Sequence, residues 1–220
     1  MVMIVRTFVM TALLVALAGA LPALADESPA LTGKPDAAEA AFVHAMQADL
    51  SKRFATEADA ERAGFVRYTN EDDTGAISYA NRVWTSTDVH HPSQLWYDAH
   101  GALLGADYSL PKTGSARPHA FGLQPGRWAE FDAHIHYVAI DPATGRKLYD
   151  KYVMPPQFRA AGGDPMHPTA ATLVKLKLVP STADVATIFL FPTIWDVSVW
   201  VKPNPNGAFA EKNPLVTPSH

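Results

Sequence analysis

The chain predicts an α+β fold: a mainly antiparallel β-sheet or barrel-like core, with an N-terminal helix and one or two short helices packed on it. Three observations lead there. An apolar stripe at helical spacing is confined to the segment just after Pro35. From Phe65 to Val201 the pattern changes to short runs of β-branched and aromatic residues. Clusters of Asp, Asn, Pro and Gly separate those runs. The chain has 220 residues, 48% of them hydrophobic, with 18 Pro, 13 Gly and no Cys. That is enough to bury a core without disulfides and too apolar for general disorder.

The elements follow in order. Residues 1–25 read as a signal peptide: Arg6 supplies a positive charge, residues 8–21 form an apolar run, and Ala23-Leu24-Ala25 gives a small-x-small cleavage pattern. An uncleaved anchor is the competing reading, but the run falls short of the ~20 apolar residues that span a bilayer. The expected address is periplasmic or secreted. Residues 26–34 are expected as a flexible mature N-terminus, 35–201 as a single α+β domain, and 202–220 as an extended Pro-rich tail along the surface.

A helix is predicted from Asp36, where Asp36 and Glu39 approximate a capping box and Phe42, Met46, Leu50 and Phe54 make one apolar stripe. Thr56 and Asp59 predict a second cap and a short helix stopped by Gly64. Residues 65–69 and 76–84 read as strands about an acidic turn. Residues 95–97 and 103–110 read as a hairpin turning at Asp98-Ala99-His100-Gly101, and 128–140 pairs with 147–153 through Asp141-Pro142-Ala143-Thr144-Gly145. A helix over 169–178, a brief one after Ser181 and a last strand over 193–201 complete the reading. In that strand Val197, Val199 and Val201 face one way, and Asp196, Ser198 and Trp200 the other.

The strongest local feature is Glu130-Phe131-Asp132-Ala133-His134-Ile135-His136-Tyr137. On one uninterrupted strand, Glu130, Asp132, His134 and His136 share a face, with the imidazoles about 7 Å apart along the strand. Two imidazoles with a nearby carboxylate and an open position make the pattern of catalytic zinc and non-haem iron sites. His134 and His136 are therefore candidate metal ligands, with His91 or His167 completing the shell and Asp132 or Glu130 moving protons. The same pattern suits a polar sheet face whose imidazoles bond to the flanking acids. The pair partly resembles the first cupin motif, but Gly126 stands too far ahead, Asp141 begins a turn, and no second motif follows.

Other classes lose support. A formal charge of −4 argues against a broad basic face for nucleic acid. The chain has no Gly-x-Gly-x-x-Gly, Walker A, His-Glu-x-x-His or Gly-x-Ser-x-Gly motif. Two functions lead, and a metal-free enzyme using Asp-His pairs for acid-base work, a lyase or isomerase, is a third option. The first is an exported metal-binding protein, extending to a small metal-dependent enzyme, that takes a divalent zinc, iron or copper ion. The second is a non-catalytic secreted binding module whose aromatic β surface, with Trp96, Trp128, Tyr137 and Trp200 as contacts, takes a small apolar or sugar ligand.

Overall fold

The computed structural model describes residues 31–219; the expected signal peptide and residues 26–30 lie outside the described residues. Helix α1 (Ala37–Arg53) begins where the capping box predicts. The Asp36 carboxylate accepts from the backbone N–H groups of Ala38 and Glu39, and Glu39 accepts from the Asp36 N–H at 3.0 Å. Its stripe of Phe42, Met46 and Leu50 is buried, as is Phe54 at its end. Helix α2 (Glu57–Arg62) starts at the Thr56–Asp59 capping box, and Gly64 follows it at φ +88°.

Nine strands among the described residues form two antiparallel sheets. They are β1 (Val66–Arg67), β2 (Ile77–Ala80), β3 (Gln94–Tyr97), β4 (Leu103–Pro111), β5 (Ala129–Phe131), β6 (His134–Ile140), β7 (Lys147–Val153), β8 (Val185–Phe191) and β9 (Ile194–Trp200). The large sheet has the order β1-β2-β3-β4-β9-β5, the small one β7-β6-β8. Both sheets stay open, so the core is α+β and mainly antiparallel as expected, without a closed barrel.

The two sheets are joined by one bent ribbon. Phe131 pairs with Ile194 at the end of β5 and β9, and His134 pairs with Phe191 at the start of β6 and β8. Two residues intervene on each side, Asp132-Ala133 and Pro192-Thr193, so the register crosses the bend unchanged. Pro192 has no N–H to give a ladder, and the ladder breaks there. The expected strand over 128–140 is therefore two strands in two sheets.

Each sheet covers one face with helix. Tyr97, Ala106, Tyr108, Val197 and Val199 of the large sheet belong to one core with Phe42, Met46 and Leu50 of α1. Ile135, Tyr137 and Val153 of the small sheet pack with Phe158 of α3 (Pro155–Ala160) and Leu173 of α4 (Ala170–Lys175). Burying a large apolar side chain contributes about 1.5–3 kcal/mol, so these two clusters are where most stability resides. The helix expected over 169–178 is shorter. Neither α3 nor β8 was expected: β8 reads Val-Ala-Thr-Ile-Phe-Leu-Phe, apolar on both faces, so it lacks period two.

The uncovered faces of the two sheets look toward each other across a cleft. Tyr68, Trp84, Phe189, Phe191 and Ile194 fill part of the space between them. Residues after β9 turn back on the large sheet, where the Trp200 Nε1–H donates to the Ala210 carbonyl at 2.6 Å and Lys212 meets Asp73 at 2.8 Å. No described helix is long and apolar enough to cross a membrane.

Candidate functional site

The large sheet supplies one wall of the cleft. On β9 the alternation is as the sequence predicts: Asp196, Ser198 and Trp200 line the cleft while Val197 and Val199 enter the α1 core. The neighbouring strands add Gln94 and Trp96 from β3 and Asp107 from β4. Trp96 lies opposite Gly105. A Cβ at that glycine would collide with the indole and come within 2.8 Å of the Val199 carbonyl, so the missing side chain makes room for the ring.

Both acids of this wall are nearly inaccessible, Asp107 at 5% and Asp196 at 3% exposure. The Trp96 Nε1–H donates to one Asp107 oxygen at 2.8 Å, and the Ser198 hydroxyl donates to the other at 2.7 Å. The Ser109 hydroxyl donates to Asp196, and Ser93 Oγ stands 2.5 Å behind Ser109. Asp107 lies opposite Ser198 and Asp196 opposite Ser109, so the acids are diagonal neighbours on one face, about 7–8 Å apart at the backbone.

The small sheet supplies the other wall. His134 and His136 from β6 are buried at 8% and 6% exposure, with Tyr152 of β7 and Phe189 of β8 opposite His136, and Phe191 of β8 opposite His134. Phe191 stacks on His134 at 4.5 Å, and Tyr68 meets His136 edge-on at 4.7 Å. The His134 Nδ1–H donates to the Asp132 carbonyl at 2.8 Å. A carbonyl only accepts, so neutral His134 carries its lone pair on Nε2. That atom lies 3.0 Å from His136 Nε2. The remaining ring nitrogen, His136 Nδ1, is buried and makes no hydrogen bond of good geometry.

Burial holds His134 below its ordinary pKa. Burial, and next the neighbouring His134, push His136 down to about 3, against a smaller opposite pull from the Lys151 backbone. Both rings are neutral near pH 7 as a result. Burial raises the Tyr68 hydroxyl well above the usual tyrosine range, and the fields of Asp107, Asp196 and Asp150 add to the rise. The Tyr68 hydroxyl itself donates to the Gln94 side-chain carbonyl.

The cleft has a volume of about 910 Å³, within the ~300–1,000 Å³ of small-molecule sites. Of the residues expected to form a site, it gathers His134, His136, Trp96, Trp200 and Asp132. Asp132 sits at the bend, exposed, and serves His134 through its backbone carbonyl.

The expectation that Glu130 shares the histidine face is overturned. Glu130 lies opposite Trp195 on the α1 side and pairs with Lys112, because the two-residue bend shifts the alternation between β5 and β6. His91 and His167 are exposed, bonded to Asp88 at 2.9 Å and Asp164 at 2.8 Å, and neither lines the cleft. Trp128 is wholly buried in the α1 core and Tyr137 in the α3/α4 core, so neither meets the cleft. Among the described residues, no group of three or more His, Asp or Glu side chains is placed to hold a metal ion.

Asp107, Tyr68, Tyr152 and Asp150 were not expected at a site, and all four line it. Asp107 had a signal: Gly105, Asp107 and Ser109 alternate with Leu104, Ala106 and Tyr108, placing a carboxylate on the face opposite an apolar one. Comparison with protein-family models, curated proteins and solved structures finds no match to this chain.

Proposed function

We propose that this is an exported small-molecule-binding protein whose ligand seats in the cleft between the two sheets. The observation that carries this reading is the cleft itself, an apolar and aromatic hollow with a few fixed polar groups. Its groups are held before any ligand arrives: Trp96 is tied to Asp107, Trp200 to Ala210, and Asp196 to Ser109. Such preorganisation lowers the ordering cost of binding.

Tryptophan fluorescence and thermal shift against envelope components, sugars and small aromatic compounds test the reading. A binder is expected to lose its response in Trp96→Ala and Trp200→Ala; silence across the whole panel removes the proposal. Export is tested by the mass of the mature protein, expected to begin at Asp26.

A second reading is favoured by the imidazole pair. Two nitrogens 3.0 Å apart match the spacing of adjacent ligands each ~2.0–2.1 Å from one zinc, iron or copper ion. The His134 Nδ1–H on a backbone carbonyl is the outer contact that orients a ligating ring. An ion there supplies Lewis-acid activation of water or of a substrate oxygen. Metal analysis of untagged, reconstituted protein tests this, and equal metal content in a His134→Ala/His136→Ala variant refutes it.

A further inference from the structure

We infer that the cleft's ligand is an uncharged, flat aromatic molecule, not a sugar, an amine or an acid, seated against the rings of Trp96, Phe131 and Tyr152. This rests on the ligand-binding reading above and names its chemical class. The first reason is that the polar groups of the large-sheet wall are engaged with the protein itself. The Trp96 Nε1–H and the Ser198 hydroxyl donate to the two oxygens of Asp107, at 2.8 and 2.7 Å. Ser109 donates to Asp196, Tyr68 to the Gln94 side-chain carbonyl, and the Trp200 Nε1–H to the Ala210 carbonyl. Asp107 and Asp196 each have a further interaction besides these. A sugar brings a hydroxyl on most of its carbons, and each one buried without a partner is costly. To be satisfied here, those hydroxyls must displace bonds that the wall already makes.

Charge is the second reason. Arg127 is the one Lys or Arg among the described residues that line the cleft, and its guanidinium is held by Glu39 and by the carbonyls of Leu31 and Lys34, all at 2.8–2.9 Å. An acid entering the cleft meets no cation ready to receive it, and it passes the exposed acids Asp72, Asp132, Asp150 and Glu211. An amine gains little from those four, because ion pairs in contact with water are weak. Two of them already accept backbone N–H groups, Asp72 from Thr74 at 2.8 Å and Asp150 from Asn70 at 2.9 Å. The third reason is what the walls leave open. Trp96 and Phe131 from the large sheet and Tyr152 from the small one line the cleft, and each is only partly buried. Trp96 is also fixed in place, edge to face with Trp200 at 5.6 Å. Ring faces held in this way favour a stacked or edge-on aromatic guest.

The test is calorimetric titration near neutral pH, with chelator present, of indole, tryptamine, indole-3-acetate and glucose. Indole is expected to bind at least about tenfold tighter than the amine or the acid that share its ring, and glucose to show no binding. Trp96→Ala and Tyr152→Ala should each weaken indole about tenfold, whereas Tyr152→Phe, which keeps the ring, should bind it like the parent. If tryptamine, indole-3-acetate or glucose binds as tightly as indole, the uncharged aromatic assignment falls and the cleft reading stands. A loss in Tyr152→Phe as large as in Tyr152→Ala also overturns the assignment, because the hydroxyl and not the ring face would then hold the ligand. If none of the four binds the folded protein, the assignment falls, and the wider panel above decides the cleft reading. The four-probe ranking on the unaltered protein decides the matter even where an Ala variant does not fold.

Discussion

Replacing His136 with Gln should make the protein markedly more tolerant of acid. His136 is 6% exposed, and its pKa is pushed down to about 3 from an ordinary 6.5. The folded state therefore keeps the ring neutral over a range in which the unfolded chain protonates it. A histidine depressed in this way costs nothing above about pH 6.5. Below that, the unfolded state binds the extra proton and stability falls by about 1.4 kcal/mol per pH unit until the folded pKa is reached. At a pH two units below the ordinary value, this one ring costs about 2.7 kcal/mol. Glutamine removes the titration but keeps an N–H to offer His134 Nε2. Urea unfolding near pH 7 and near pH 4.5, with chelator present, measures the effect. The parent should lose about 2–3 kcal/mol more than His136→Gln between the two conditions, since the other acid-sensitive groups are common to both proteins. Equal losses would refute the argument that His136 is held neutral by burial.

The remaining predictions concern the supports of the site. Arg127→Met leaves the Glu39 carboxylate, fully buried, without the guanidinium that grips it; urea unfolding should show a loss of about 3–5 kcal/mol, and a Glu39→Met/Arg127→Met pair should recover much of it. The Arg127 hydrogen bond is also the main reason the Glu39 pKa is lowered. The stability Glu39 brings is thus present above the ordinary carboxylate range and is lost as pH falls through the folded value. Gly105→Ala forces the Trp96 indole off β4; the expected result is a loss of about 1–3 kcal/mol and a shifted tryptophan emission. Ser109→Ala takes the hydroxyl donor from buried Asp196 and should cost about 1–3 kcal/mol by thermal or urea unfolding.

Some of this architecture could be read directly from local chemistry. The capping box at Asp36, the stripe on α1, the Asp98–Gly101 turn with Gly101 at φ +78° and the alternation of β9 all involve residues within a few positions of one another. Helix and strand periods are short-range properties, so they survive in sequence. The strand at residues 185–191 did not, because packing against the space between the sheets on one side and the helices on the other made it apolar throughout.

The candidate site divides along the same line. The order of residues alone determined that His134 and His136 lie on one side of a strand and that Asp196, Ser198 and Trp200 share a face. Tertiary structure decided the rest. The bend at Asp132-Ala133 and Pro192-Thr193 carries one continuous ribbon from one sheet into the other, folds the histidine face over the aspartate face and turns Glu130 away. Which distant strands then pair, so that Asp107 sits beside Ser198 and Tyr68 beneath His136, depends on contacts 91 and 68 residues apart in the chain. No local period encodes such contacts, because their energy comes from burial shared among strands that meet only once the chain has folded.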